Sequence, residues 1–517
     1  MACGYAIALL FLLKTDTLTP RSQLRPGNWS TRVDVLILVL ITALTRYVFK
    51  SRYLYDVDSV NFALALRHFD PAAHQPHPPG YYLYVWLGRL VNYLVHDANG
   101  ALVSISIAAS CAAVAVIYLL TVDWFGFKAA RCAAILFVFS PLAWFHGIVA
   151  LTYIVETFFS ALVGYLCWKR SFRAAAIVLG LAAGIRPSSL LFLAPLFFFS
   201  LRKETWRLCL TAAAILAAVV FAWFVPLLHE SGGFSVWSSS LLSLWNAVPG
   251  KQTVFNSSIA NSVARGLTIV LIYCLCFGCA AILPLLSPRS APAPQSASPA
   301  RALWIFAGVW IIPGLLFFTF VFLRFVNSGY LLFLSPPVFA WLGLLTSRWF
   351  KPGRRILAGA CLAINFLVFL SAPVYCSYFA VRKSAQELAG VLAALPKVAL
   401  PGETLIVGFD SHFQGYRHAG YYLPDYATVE YPAVRLASGP RIFTMRGRDT
   451  TLAVDLPASY KKFILFPLPT DGAGYHVYMA EIETHFARAD LTRGSSGSRT
   501  FITGPRSALA ALYHVDH

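Results

Sequence analysis

The sequence predicts a polytopic α-helical membrane protein of about eleven transmembrane helices followed by an extracytoplasmic α/β domain. Three observations predict it. The 517 residues are 58% hydrophobic and only 12% charged, where soluble domains carry roughly 25% charged residues. Apolar runs near the length needed to cross a bilayer recur as far as residue 375, with Trp and Tyr often near their ends, as interfacial anchors require. Beyond residue 375 the runs stop and a mixed helix and strand pattern takes over.

Charge divides the chain at the same place. Residues 1–375 hold 27 Lys/Arg and 10 Asp/Glu, and residues 376–517 hold 14 and 12. The basic excess lies in short loops, and setting loops on the cytoplasmic side accounts for most of it. The remainder suits an anionic lipid or a substrate phosphate. No soluble basic module stands out, which argues against nucleic acid as a partner.

Residues 1–32 read as a cytoplasmic N-terminal segment. The apolar stretch 3–13 ends at Lys14 without a basic leader or a convincing cleavage site, so a cleaved signal peptide is poorly supported. Residues 33–375 read as the transmembrane domain, with spans near 33–49, 98–120, 132–148, 150–168, 173–187, 188–200, 207–228, 263–286, 303–322, 329–347 and 356–374. The pair 173–187 and 188–200 meets at Arg186-Pro187, which predicts a tight turn or a broken helix. With the N-terminus inside, 18 of the 27 Lys/Arg fall on the cytoplasmic face. That bias supports the orientation and, with an odd number of spans, puts the C-terminus outside.

Two loops then lie outside. Loop 50–97 contains YYLYVWLGRLVNYLV, which suits an amphipathic helix along the membrane surface. Loop 229–262 is rich in Ser, Trp, Gly and Asn. The stretch 288–301 reads as a flexible Pro/Ala/Ser linker on the inner side. Residues 376–517 form the extracytoplasmic α/β domain. RKSAQELAGVLAAL reads as a helix, and TLIVGF, RIFTM, TLAVDL, KKFILFPL and YHVYMAEI read as strands. Asp410, His412 and His418 are close in sequence and read as a solvated loop cluster. Of ten cysteines, nine precede residue 375, so the tail has no internal disulfide framework. Cys274, Cys276 and Cys279 sit in an apolar run and read as core-filling residues rather than a metal site.

The acidic residues are the narrowest clue to function, because a carboxylate beside a bilayer is costly unless it is solvated or paired. On the outer side the candidates are Asp56, Asp58, Asp70, Asp97, Glu156 and Glu230. Asp56 and Asp58 bracket one residue, and an extended segment would turn both to the same face. They would then serve as base and metal ligand, or one would orient the other. The alternative is a solvated loop edge, or a helix cap at Asp58-Ser59 for VNFALALRHF. Glu156 lies in an apolar span about two turns below its outer end and needs a partner there, either structural or substrate; His146 precedes it near the surface. Arg186 falls between two short spans, where it could hold a phosphate or reach the head groups. HPPG at 77–80 sets an imidazole on a stiff turn close to Asp58.

YDVDSVNFALAL after the first span, followed by HPPGYYLYVWLGRL, resembles the GT-C superfamily of polytopic glycosyltransferases, and in particular bacterial protein O-mannosyltransferase-like proteins. SPLAWFHGIVALTYIVE and LGLAAGIRPSSLLFLAP are weaker echoes. The likeness covers residues 33–375. It departs at Ser59, where the common motif has an acid after the aspartate, and at Tyr82, where the related segment often has Pro.

The resemblance implies a sugar moved from a polyprenyl-phosphate donor to an acceptor hydroxyl of a glycan, lipid or protein. The reaction would take place on the outer face of a bacterial inner membrane and invert the anomeric carbon. Asp58 is then the general base, with Asp56 as reserve base or ligand. His77, His146, Glu156, Arg186 and Arg324 are the implied substrate- and phosphate-binding residues. No metal is expected to be obligatory, although a divalent ion is compatible. Three other readings remain: a glycan polymerase or ligase using a lipid pyrophosphate carrier, a lipid or glycan transporter, and a non-catalytic receptor or scaffold whose working part is the external tail. The transporter would call for internal repeats that are not evident.

Overall fold

A computed structural model describes residues 29–247, 249–283, 300–349, 355–409, 411–431, 441–444, 448–451, 459–466, 492–496, 499–505 and 507. The apolar stretch 3–13, most of the 288–301 linker, Asp410 and most of the candidate strands TLAVDL and YHVYMAEI lie outside these residues. The chain divides into two compact units, Met1–Lys50 with Pro78–Ala380, and Ser51–His77 with Val381–His517. The sequence reading kept loop 50–97 whole within the membrane domain. In the structure its first half, residues 51–77, folds with the C-terminal residues instead.

The first unit is helical: α1 (Trp29–Phe49), α3 (Tyr82–Val95), α4 (Ala98–Phe125), α5 (Phe127–Val138), α6 (Pro141–His146), α7 (Tyr153–Trp168), α8 (Phe172–Ile185), α9 (Ser188–Leu201), α10 (Trp206–Glu230), α11 (Phe234–Ala247), α12 (Ile259–Phe277), α13 (Ala300–Phe320), α14 (Ser335–Trp349) and α15 (Arg355–Ser371). The label α2 belongs to Val57–Arg67 of the second unit. Helix α4 is central and packs against α1, α3, α5, α7 and α14.

Among the described residues four helices are long and apolar enough to cross a membrane: Ala98–Phe125, Trp206–Glu230, Ile259–Ile282 and Arg301–Phe320. The pair Phe325–Leu332 and Ser335–Trp349, bent by 72°, makes a fifth if it is one span. Four of the other expected spans are shorter apolar helices, among them Phe172–Ile185 and Ser188–Leu201. At 14 residues each these two rise about 21 Å, less than the ~30 Å hydrocarbon core. The break between them falls at Arg186-Pro187, where Arg186 is extended (φ −150°, ψ 107°). Helix α3 buries Tyr82, Tyr84, Val85 and Gly88 and exposes Leu90, Tyr93 and Leu94, a two-faced pattern that suits the membrane surface. Cys276 is buried, whereas Cys274 is exposed on the apolar helix α12.

The second unit is built on a seven-stranded sheet of order β4-β3-β2-β1-β5-β7-β6. Its strands are β1 (Thr404–Phe409), β2 (Thr428–Tyr431), β3 (Arg441–Thr444), β4 (Arg448–Thr451), β5 (Lys462–Phe466), β6 (Thr492–Ser496) and β7 (Arg499–Pro505). β1 pairs in parallel with β2 and β5, and antiparallel pairs extend both sides. Apolar residues of β1, β5 and β7 meet Leu388 and Leu395 of α16 (Tyr378–Val398), and Ala419 of α17 (Tyr416–Tyr422), in one core.

Segment 51–77 is tied into this unit by its own backbone. Val57 N–H donates to the His412 carbonyl (2.8 Å) and Leu54 N–H to the Tyr422 hydroxyl (2.8 Å). Arg417 Nη2 donates to the Ala73 carbonyl (3.1 Å). A polar loop must pair its peptide groups somewhere, and here the C-terminal residues supply the partners. The solvated cluster expected around His418 is corrected: His412 is exposed, but His418 is fully buried in α17. Burial lowers its pKa to about 4.

Candidate active site

The two aspartates of the first loop begin a helix rather than an extended segment. Asp56 is the N-cap of α2 (φ −105°, ψ 155°), and its Oδ1 accepts the Asp58 N–H at 2.9 Å. The cap foreseen at Asp58-Ser59 therefore sits two residues earlier. The capping role satisfies an orphan helix N–H and leaves Asp58 in the first turn for other work. Asp58 Oδ1 lies 3.2 Å from His77 Nδ1, both side chains being partly accessible. The tilted Phe62 ring, 6.1 Å away, backs the imidazole. After His77 the HPPG turn runs through Gly80 at φ +114°, a conformation that glycine adopts without strain.

Asp56 is buried. Burial first, and then the nearby Asp58 carboxylate, hold its carboxyl well above the usual range, against the hydrogen bond from Asp58 N–H that favours ionisation. A raised carboxyl pKa makes the native state bind a proton more tightly than the unfolded chain. Its contribution to stability is complete in acid and is lost as pH rises through the native pKa. Asparagine caps about as well and carries no charge. Asp56→Asn is therefore expected to match wild type near pH 4 and to be the more stable of the two near pH 8. Thermal unfolding in detergent at the two pH values checks this; an equal loss of stability at both would contradict it.

Among the described residues before the tail, Asp70 and Asp97 cap helical turns. Asp34 meets Arg131 at 2.8 Å and accepts from the Tyr118 hydroxyl at 2.6 Å. Asp123 pairs with Lys169 and Glu204 with Arg170. Glu230 meets Arg89 at 3.6 Å and accepts from the Tyr82 hydroxyl at 2.7 Å. Glu156 meets Arg186 at 3.1 Å. Each of these acids caps a helix or faces a permanent cation. Asp58 faces the His77 imidazole.

In the first unit Glu156 lies in the first turn of α7, not two turns into it, because the helix starts only at Tyr153. Its Oε1 accepts from the Ser188 and Ser189 hydroxyls, both at 3.1 Å. Arg186 donates from Nη1 to Thr152 Oγ1 at 2.6 Å. Its guanidinium also lies 4.4, 4.5 and 5.6 Å from the ring centres of Tyr153, Tyr330 and Tyr81. Both charged side chains are almost wholly buried. His146, at the end of α6, is fully buried against the Tyr153 ring (4.9 Å). Its two ring nitrogens have no hydrogen-bond partner among the described residues.

The structure thus gathers His146, Glu156 and Arg186 around Tyr153. Arg324 is elsewhere in the unit, exposed ahead of the short turn Phe325–Asn327 and lining a cavity with Arg265. The three tyrosine rings and Arg265 were not foreseen. Tyr81 and Tyr330 are far from Arg186 in sequence, and nothing in a single sequence pairs them. Arg265 was legible as a charge interrupting an apolar helix. Among the described residues no three His, Cys, Asp or Glu side chains gather as a metal site.

Residues 72–209 match the family model of the protein O-mannosyl-transferase TMEM260 N-terminal domain. That stretch contains His77, His146, Glu156 and Arg186 and stops short of Asp58 and Arg324. The fold is similar to that of ArnT from Cupriavidus metallidurans bound to undecaprenyl phosphate, with a TM-score of 0.55 and 14% identity over 92% of this chain and 98% of that one. The apo state of the same protein matches with a TM-score of 0.50 and 14% identity, over 93% and 99% of the two chains. No curated protein matches the chain in sequence.

Proposed function

We propose, on the premise that the chain is an integral membrane glycosyltransferase of the GT-C type, that it moves one sugar from a polyprenyl-monophosphate donor to an acceptor hydroxyl. The observation that carries this reading is the Asp58–His77 pair, 3.2 Å apart at the start of α2. Asp58 accepts the proton of the acceptor hydroxyl as that oxygen bonds to the anomeric carbon. The bond from that carbon to the phosphate oxygen breaks, and polyprenyl phosphate leaves with the electron pair. A single displacement inverts the anomeric carbon. His77 Nδ1 holds the Asp58 carboxylate in one orientation, as positioned bases require. Asp56, capping α2, fixes the first turn.

The reaction belongs to the extracytoplasmic face, together with the C-terminal α/β domain, in a chain of about eleven spans. The Lys/Arg bias supports that orientation. The fold's likeness to ArnT, which has been solved with undecaprenyl phosphate bound, supports the donor class. Purified protein given labelled polyprenyl-monophosphate hexoses and a membrane extract as acceptor source tests the reading. Release of polyprenyl phosphate with labelled product is the expected result. Turnover of diphosphate-linked sugars alone would overturn it in favour of a polymerase or ligase.

A further inference from the structure

We infer that the C-terminal residues position the Asp58 base, and that Gln414 is the positioning residue through which they do so. The inference rests on the base role proposed for Asp58 and gives the C-terminal domain a task in that reaction. All the contacts that carry it lie within the second unit.

Asp58 is the second residue of α2, so the first turn of that helix sets the aim of its side chain. The first N–H groups of a helix have no partner inside it. Two are held here from outside the ladder: Asp56 Oδ1 takes the Asp58 N–H at 2.9 Å, and the His412 carbonyl takes the Val57 N–H at 2.8 Å. The first contact is local to the segment. The second comes from the tail, and a hydrogen bond of this length is directional. The loop that carries His412 therefore orients the turn. The Tyr55 ring, tilted against Phe413 with centres 4.9 Å apart, holds it at a second point.

That loop is itself locked. Ser411 Oγ donates to the Phe413 carbonyl (2.8 Å) and accepts the Phe413 N–H (3.2 Å). Gln414 follows at φ +55°, a left-handed conformation that costs a non-glycine residue free energy and persists where the surroundings over-determine it. Its buried side chain supplies the anchor. Nε2 donates to the Ser384 carbonyl of α16 at 2.9 Å, with Ser384 Oγ and Glu387 Oε2 also within reach at 3.1 and 3.3 Å. The strained residue thus sits two positions from the carbonyl that holds the helix of the base. Helix α17, next in the chain, grips the other arm. Arg417 Nη2 donates to the carbonyl of Ala73, which leads into His77, and the Arg67 guanidinium at the end of α2 lies 5.2 Å from the Tyr421 ring centre. Residues 411–422 accordingly hold both the base and the arm that carries its imidazole partner.

The test uses the full-length protein in detergent. Gln414→Gly suits the left-handed backbone and removes the amide anchor. Amide exchange across residues 55–60 is expected to rise about tenfold in this variant, as a locally loosened turn does. The kcat for transfer is expected to fall about ten- to a hundredfold with KM little changed, the effect of misplacing a reacting group by about an ångström. A double-mutant cycle separates positioning from mere structure. A residue that acts through the Asp58 carboxylate costs nothing further in an Asp58→Asn background, whereas a structural residue costs the same in both. If Gln414→Gly folds poorly, Phe413→Leu carries the same cycle with a smaller loss, because it withdraws the ring from Tyr55 and leaves the anchor in place. Unchanged exchange, or equal losses in the two backgrounds, would overturn the inference and leave Asp58 as the base. Wild-type turnover in Asp58→Asn alone would overturn the base assignment and the inference with it.

Discussion

Asp58→Asn is expected to lower transfer by about 10²–10⁴-fold, the usual loss when a positioned general base is removed, while the protein still folds and inserts. Asparagine keeps the size of the side chain and an oxygen to face His77, but cannot take up the acceptor proton. Little stability is at stake. The cap of α2 is Asp56, which holds the Asp58 N–H through the backbone whatever the side chain at 58. A negative charge in the first helical turn adds only about 0.3–1 kcal/mol. The check is a rate on purified, monodisperse protein beside a thermal unfolding curve. Wild-type turnover in the variant would remove Asp58 from the chemistry. Asp56→Asn is expected to cost much less activity and to stabilise the protein at alkaline pH.

Arg186→Met is expected to give the largest stability loss, about 3–5 kcal/mol, because it leaves the buried Glu156 carboxylate without its cation. The two side chains are 5 and 1% exposed, so solvent does little to relieve the charge left behind. Glu156→Gln should cost less, since the Ser188 and Ser189 hydroxyls can still donate to the amide oxygen and three aromatic faces remain around Arg186. Glu156→Met with Arg186→Met should recover much of the loss, as replacement of a whole buried pair by apolar groups often does. Detergent-solubilised yield and unfolding temperature report all three. If Arg186→Met unfolded like wild type, the pair would have no structural role and Arg186 would again be a candidate for phosphate.

The membrane character was legible because apolar runs and a shortage of charge follow directly from the solvent. The helix break at Arg186-Pro187 was legible because proline and the residue before it exclude helical continuation. The need of Glu156 for a partner followed from its setting, but the partner did not, since Arg186 and its tyrosines are distant in sequence. The start of α2 was read too late by two residues: Asp56, Asp58 and Ser59 are all good caps, and only the geometry chooses among them. The joining of loop 51–77 to the C-terminal residues was hidden for a related reason. It rests on backbone groups, such as Val57 N–H on the His412 carbonyl, which leave no mark on side-chain pattern. The helices Phe172–Ile185 and Ser188–Leu201 fall within a few residues of the apolar runs read at 173–187 and 188–200, because burial in an apolar setting is what such a run records.

The anomeric configuration of the transferred sugar tests the central claim most directly. A polyprenyl-monophosphate hexose of known configuration is turned over by the purified protein, and the new linkage is assigned from its one-bond carbon–proton coupling. A single displacement with Asp58 as base gives a product of inverted configuration. Retention would require a covalent glycosyl-enzyme and a second displacement, and would contradict the role assigned to Asp58 and His77.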